Sequence, residues 1–111
     1  MGEKVTPETK VAKEITGWLR GEGWRCLRMQ SGRYRGRARS FVQVGEIGMP
    51  DWLCVRYRPG LALFWLEVKR RGGEASTAQR MWIKAEEERG AVVVVADSLD
   101  EFRKWYREVY G

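Results

Sequence analysis

Histidine is absent from this chain of 111 residues. Its absence excludes serine–histidine triads, histidine-based metal nucleases, histidine-dependent phosphodiesterases and zinc sites built on imidazole. Any hydrolytic chemistry must therefore rest on carboxylates, lysine and a metal bound through oxygen. Cysteine is scarce, with only Cys26 and Cys54. Their separation fits neither a metal site nor a redox motif, and both lie in apolar, strand-like runs. They are expected as buried, reduced thiols of a cytoplasmic protein. No apolar run is long enough to cross a bilayer and no signal peptide is read, so no membrane association is expected. The three prolines fall where an element should begin or turn. No internal repeat or linker divides the chain, so residues 1–111 are read as one domain.

Positive charge is in excess: 21 Lys and Arg stand against 15 Asp and Glu, a net charge of +6. A small basic domain is attracted to polyanions, most simply nucleic acid. An apolar fraction of 43% suffices for a core, and six tryptophans are many for so short a chain. Part of that aromatic surface is expected at an interface.

Local signals then place the elements. Thr6-Pro7 reads as an N-cap followed by proline at the first helical position. Val11, Ala12, Ile15, Trp18 and Leu19 recur at helical spacing, and Gly21 and Gly23 end that helix. Trp24 to Met29 reads as a strand. Residues 30–40 are polar and basic, an exposed loop or ribbon, and Phe41 to Val44 suits a short strand. Trp52 to Tyr57 and Leu61 to Lys69 form a hairpin about Arg58-Pro59-Gly60. After the glycine-rich loop Arg70 to Ala75, Ser76 and Gln79 make a capping box for a second helix. Its apolar face is Ala78, Met81, Trp82 and Ala85, and Gly90 stops it. Ala91 to Ala96 holds a continuous β-branched run, as expected of a strand covered on both faces. Ser98 and Glu101 form another capping box, opening a helix with Leu99, Phe102, Trp105, Tyr106 and Val109 on one side. The order is αβββαβα, a mixed sheet flanked by helices.

The hairpin carries the chemistry. Strand alternation puts Leu63, Trp65, Glu67 and Lys69 on one face, while Phe64, Leu66 and Val68 point into a core. A loop of Arg58 to Gly60 pairs Tyr57 with Leu61 and sets Asp51 opposite Glu67, their Cβ atoms about 5 Å apart. A two-residue loop would shift this by one position. Two carboxylates so close repel unless one is protonated or a cation lies between them, and a hard cation suits oxygen ligands. Pro50 cannot donate to a sheet ladder, so Asp51 should stand where its strand begins. Glutamate-x-lysine alone is common in strands; the combination is far more specific.

Gly48-Met49-Pro50-Asp51, Glu67-Val68-Lys69, the N-terminal helix ending near Gly23 and Gln79 opening a later helix together resemble the VRR-NUC domain. These are virus-type replication-repair nucleases of the PD-(D/E)xK superfamily, and the resemblance spans about Thr6 to Glu101. It implies a restriction-endonuclease-like α/β fold and Mg²⁺-dependent hydrolysis of DNA, with Mn²⁺ able to substitute and no small-molecule cofactor. It implies Asp51 and Glu67 as metal ligands, with the Val68 carbonyl as a third. Lys69 would steady the attacking water and the phosphate charge, and Gln79 would orient a group near that lysine. The family also places an acid on the first helix. Glu8 and Glu14 are the candidates, and Glu8 falls within the apolar stripe whereas Glu14 lies on its flank. The family further suggests a phage or mobile-element setting.

Arg33, Arg35, Arg37 and Arg39 alternate with other residues, so an extended backbone would point all four the same way, along a rail of phosphates. Arg70 and Arg71 follow Lys69 and are expected to border the same cleft. Nothing resembles a base-reading helix, so DNA shape, such as a branch or Holliday junction, is the expected substrate feature. Two scissions in a symmetric junction need two clefts, hence an expected homodimer, with Trp82, Ile83 or Trp105 at its interface. The competing readings are a non-catalytic nucleic-acid-binding module and a small interaction protein.

Overall fold

The computed structural model describes residues 6–29, 32–35 and 41–111. Helix α1 spans Pro7–Gly21 and begins as expected: the Thr6 hydroxyl accepts the Thr9 N–H at 3.1 Å and proline opens the first turn. Strand β1 (Arg25–Arg28) follows, then a two-stranded antiparallel ribbon of β2 (Gly32–Arg35) and β3 (Phe41–Val44). The hairpin strands are β4 (Trp52–Arg56) and β5 (Ala62–Val68). Helix α2 (Thr77–Glu88), strand β6 (Val93–Ala96) and helix α3 (Leu99–Tyr110) complete the chain.

The main sheet has the order β1-β4-β5-β6, antiparallel except for the parallel pair β5–β6. It is the mixed sheet of the αβββαβα reading, and the ribbon is an insertion between its first two strands. The ribbon alternative for residues 30–40 is thus realised in part, with Arg33 and Arg35 in β2. The side chains of these two arginines, and all of Arg37 and Arg39, lie outside the described residues.

The β4–β5 register pairs Trp52 with Leu66 and Arg56 with Ala62. Continuing the ladder one step at each end sets Tyr57 opposite Leu61 and Asp51 opposite Glu67, the register a three-residue loop dictates. Phe64, Leu66 and Val68 are buried, as strand alternation requires. Phe64 meets Phe102 and Trp105 of α3 with ring centroids 5.9 and 5.1 Å apart, and Trp18 of α1 meets Phe102 at 6.1 Å. Trp65, pointing the other way, meets Trp82 of α2 at 5.1 Å. Helices α1 and α3 therefore cover one face of the sheet and α2 the other.

Several expectations need correction. Helix α2 does not turn Ala78, Met81 and Ala85 inward: Met81 is 69% exposed and both alanines are exposed. It rests on the half-buried Gln79, Trp82, Ile83 and Glu86, because the Trp82 ring seats on Trp65 and its indole N–H donates to the Glu46 carboxylate at 2.6 Å. Strand β6 is an edge strand and is not covered on both faces, since Val95 is 41% exposed. Val109 is exposed, and Tyr110 takes the inward position at the end of α3. Of the Ser98–Glu101 box only the half in which Ser98 accepts the Glu101 N–H forms. Trp105 belongs to the internal aromatic cluster, so the tryptophan surplus is largely used within the chain.

The cysteines also differ from expectation. Cys54 is buried but Cys26 only half-buried, and the two are direct cross-strand partners. A hydrogen bond between them lowers the Cys26 thiol and raises that of Cys54, which burial raises further. Among the described residues, no helix is long and apolar enough to cross a membrane.

Candidate metal centre

Three elements supply one carboxylate each. Glu8 stands in the first turn of α1, Asp51 immediately precedes β4, and Glu67 lies one residue from the end of β5. One carboxylate oxygen from each lies within 4.8 Å of the other two. Of the two acids weighed on the first helix, Glu8 joins this cluster and Glu14 does not. Two causes combine, the start of the helix and the packing of α1 against the sheet. The Thr6 cap and Pro7 start the helix so that Glu8 falls at its N-terminus, over the end of the hairpin.

The cluster is graded in burial: Glu8 is exposed, Asp51 half-buried and Glu67 only 1% exposed. Burial and the neighbouring charge of Asp51 push the Glu67 carboxyl up to about 8, and Lys69 pulls it back in part. A hydrogen bond to Asp51, which the protonated acid alone can donate, acts in the same upward direction. Glu67 Oε1 is buried with no hydrogen-bond partner, and Lys69 Nζ lies 3.9 Å from Glu67 Oε2. A buried, partnerless carboxylate oxygen is costly, and a cation among the three acids would satisfy it. The donor set, all oxygen and with no sulfur or imidazole, fits a hard divalent ion.

The cleft above the cluster has a volume of about 220 Å³. Thr6, Glu8, Thr9, Arg28, Asp51 and Val68 are among its walls. Val68 is among these walls, and the ligand role of its carbonyl remains what the resemblance implies. Arg28 is a residue that sequence reasoning missed. Its place follows only from the docking of β1 on β4: with Cys26 facing Cys54, Arg28 falls opposite Trp52, next to Asp51.

Gln79 is committed to structure at one end. Its Oε1 accepts the Ser76 N–H at 2.9 Å while its own N–H bonds Ser76 Oγ at 3.2 Å, a complete capping box. Only the Nε2 amide remains as a donor. Gly48 explains how α2 approaches the motif loop. Its φ is +85°, and a Cβ there would stand 2.4 Å from the Ala78 carbonyl oxygen, so glycine is needed on both counts.

Arg70 and Arg71 do not sit with the acids as expected. Arg70 is exposed, and Arg71 lines a separate depression with Asp97, Ser98, Asp100 and Glu101. The loop turns away after Lys69 because the Gly72 N–H is held by the Asp97 carboxylate at 2.9 Å, at the N-terminus of α3. No protein-family model matches the chain, and no curated protein or solved structure shows a significant similarity to it.

Proposed function

We propose that this chain is a divalent-metal-dependent endonuclease with a restriction-endonuclease-like fold, hydrolysing DNA phosphodiester bonds and selecting branched, Holliday-junction-like structures. The observation that carries the proposal is the convergence of Glu8, Asp51 and Glu67 within 4.8 Å, with one buried carboxylate oxygen lacking a partner. Asp51, Glu67 and Glu8 would hold the ion, Mg²⁺ or Mn²⁺, with the Val68 carbonyl beside them. When bound, such an ion supplies Lewis acidity and lowers the pKa of water.

The chain's own groups do the rest. Burial keeps the Glu67 carboxylate in one position, so no reorganisation is needed during reaction. Lys69 stands at the rim of the cluster, its side chain 17% exposed. From there its ammonium donates hydrogen bonds to a nucleophilic water or to a phosphate oxygen gaining charge. Gln79, with Oε1 held in the cap, offers its Nε2 hydrogens in fixed orientation. Arg28 contributes a permanent positive charge on the same cleft.

The test is incubation of the protein with four-way, flapped, duplex and single-stranded DNA in magnesium. Wild type should cut branched DNA in preference, and Glu67→Gln with Lys69→Ala should lose at least about 100-fold in rate. Equal cleavage by both proteins would remove the idea. A second reading, a nucleic-acid-binding module without catalysis, is favoured by one observation. With its carboxyl pushed up to about 8, Glu67 can share a proton with Asp51 at neutral pH and close the cluster without an ion. Binding without cleavage at every divalent ion tried would select that reading.

A further inference from the structure

A second cleft, of about 530 Å³, runs along α1 and joins the acidic one. Its walls include Thr9, Lys13, Thr16, Arg20, Arg28 and Trp52, and no carboxylate. Thr9 and Arg28 belong to both clefts, so the second opens directly beside Asp51 and Glu8. Residues 9, 13, 16 and 20 recur at helical spacing and form one stripe. At 1.5 Å per residue that stripe is about 16 Å long, enough to follow roughly three phosphates of one strand.

The wall is rich in cationic donors and holds no carboxylate. Lys13 is exposed and has no ion pair among the described residues. Arg28 lies over the Trp52 ring at 5.4 Å, which orients its guanidinium, and it makes no ion pair among the described residues. Arg20 makes only long bonds, 3.5 Å to Thr16 Oγ1 and 3.5 Å to the Cys26 carbonyl. Three cations lining one groove ask for an anion, and the groove's length asks for an extended one.

We infer that this α1 cleft binds the sugar-phosphate backbone of a nucleic-acid strand, with Arg28, Lys13 and Arg20 facing the phosphates that lead away from the one at the acidic cluster. The inference deepens the nuclease proposal by assigning a strand path along α1. Its placement relative to cleavage rests on that proposal, whereas the binding itself does not. The cleft contacts backbone and not base edges, so it contributes affinity and register without sequence preference.

Fluorescence anisotropy of a labelled four-way junction and a labelled duplex, with calcium replacing magnesium, measures this. Lys13→Gln combined with Arg28→Gln should weaken binding at least about tenfold near 0.1 M salt. It should also reduce the slope of log affinity against log salt by about 2, one per lost phosphate contact. Lys13→Glu alone, at an exposed position that cannot threaten the fold, should weaken binding more than Lys13→Gln. The charge control is Lys104→Gln with Arg107→Gln on α3, which should change affinity less than about twofold.

Unchanged affinity and slope in the Lys13/Arg28 variant overturn the inference, as does an equal loss in the α3 control or a wild type that binds no nucleic acid. If wild type binds through this cleft yet cuts nothing, the inference stands and the nuclease reading falls. If it cuts while the cleft variants bind and cut normally, the reverse holds.

Discussion

Glu67 sets both the stability of the ion-free protein and its appetite for a cation. Its carboxyl moves from the ordinary 4.5 to about 8 on folding. Between those two pH values the native state keeps a proton that the unfolded chain has released. The free energy of unfolding of the ion-free protein should therefore fall as pH rises through that window and level off above about 8. Glu67→Gln cannot ionise and should lose this slope. In chelator above about pH 8 it should exceed wild type by on the order of a few kcal/mol, measured by urea unfolding. Magnesium should narrow this gap, because only a carboxylate that sheds its proton can bind the ion. At 100 times its dissociation constant the ion adds about 2.7 kcal/mol to wild type and little to the variant. A wild-type melting temperature insensitive to both pH and magnesium would contradict this account of the cluster. The acids at 51 and 67 were legible as neighbours because a hairpin's loop length fixes its register and alternation fixes its faces. Arg28 was not, because its place depends on how β1 docks on β4 some 25 residues further along the chain.

At the level of elements, the contact of α2 with the motif loop is the feature most open to test. Gly48→Ala adds a Cβ 2.4 Å from the Ala78 carbonyl oxygen in a backbone with φ +85°. It should cost more than about 2 kcal/mol and displace α2 from the site. Gly17, in the exposed middle of α1, meets nothing within 4 Å of an added Cβ. Gly17→Ala should therefore stabilise by about 0.5–1 kcal/mol. Chemical denaturation of both variants gives the comparison. Gln79 separates into two roles by substitution. Gln79→Glu keeps the acceptor that the Ser76 N–H needs but removes the Nε2 donor. Its melting temperature should stay within about 2 °C of wild type while cleavage falls at least about tenfold. Normal cleavage by this variant would leave Gln79 as a cap alone. Helix caps were readable because they are local in sequence. The buried side of α2 was not: Ala78, Met81 and Ala85 are as apolar as a core stripe, and only the Trp65–Trp82 and Trp82–Glu46 contacts decide which side turns in.

On the scale of the whole molecule, the sheet face carrying α2 is only partly covered. Leu27, Leu63 and Val95 on that face are 36%, 43% and 41% exposed. A single chain brings one acidic cluster, and paired cuts across a symmetric junction need two. We propose a homodimer that buries this face in place of the tryptophan interface expected from composition. Light scattering should give about twice the 12.9 kDa chain mass, and Leu63→Asp should return the monomer value. A monomeric wild type at working concentration would refute it.

Sequence alone determined the features that act over short separations. These are the three capped helices, the hairpin register, the Glu67–Lys69 alternation and the exclusion of histidine chemistry. Each follows from a turn length, a periodicity or a missing functional group, and needs no knowledge of distant contacts. Tertiary structure decided what depends on packing across the sheet. It brought Glu8 of α1 to two acids more than 40 residues away, set Cys26 against Cys54, placed Arg71 in a depression with Asp97 and opened the cationic cleft beside the acids. Such placements come from many weak side-chain contacts acting together, and no single window of residues contains them.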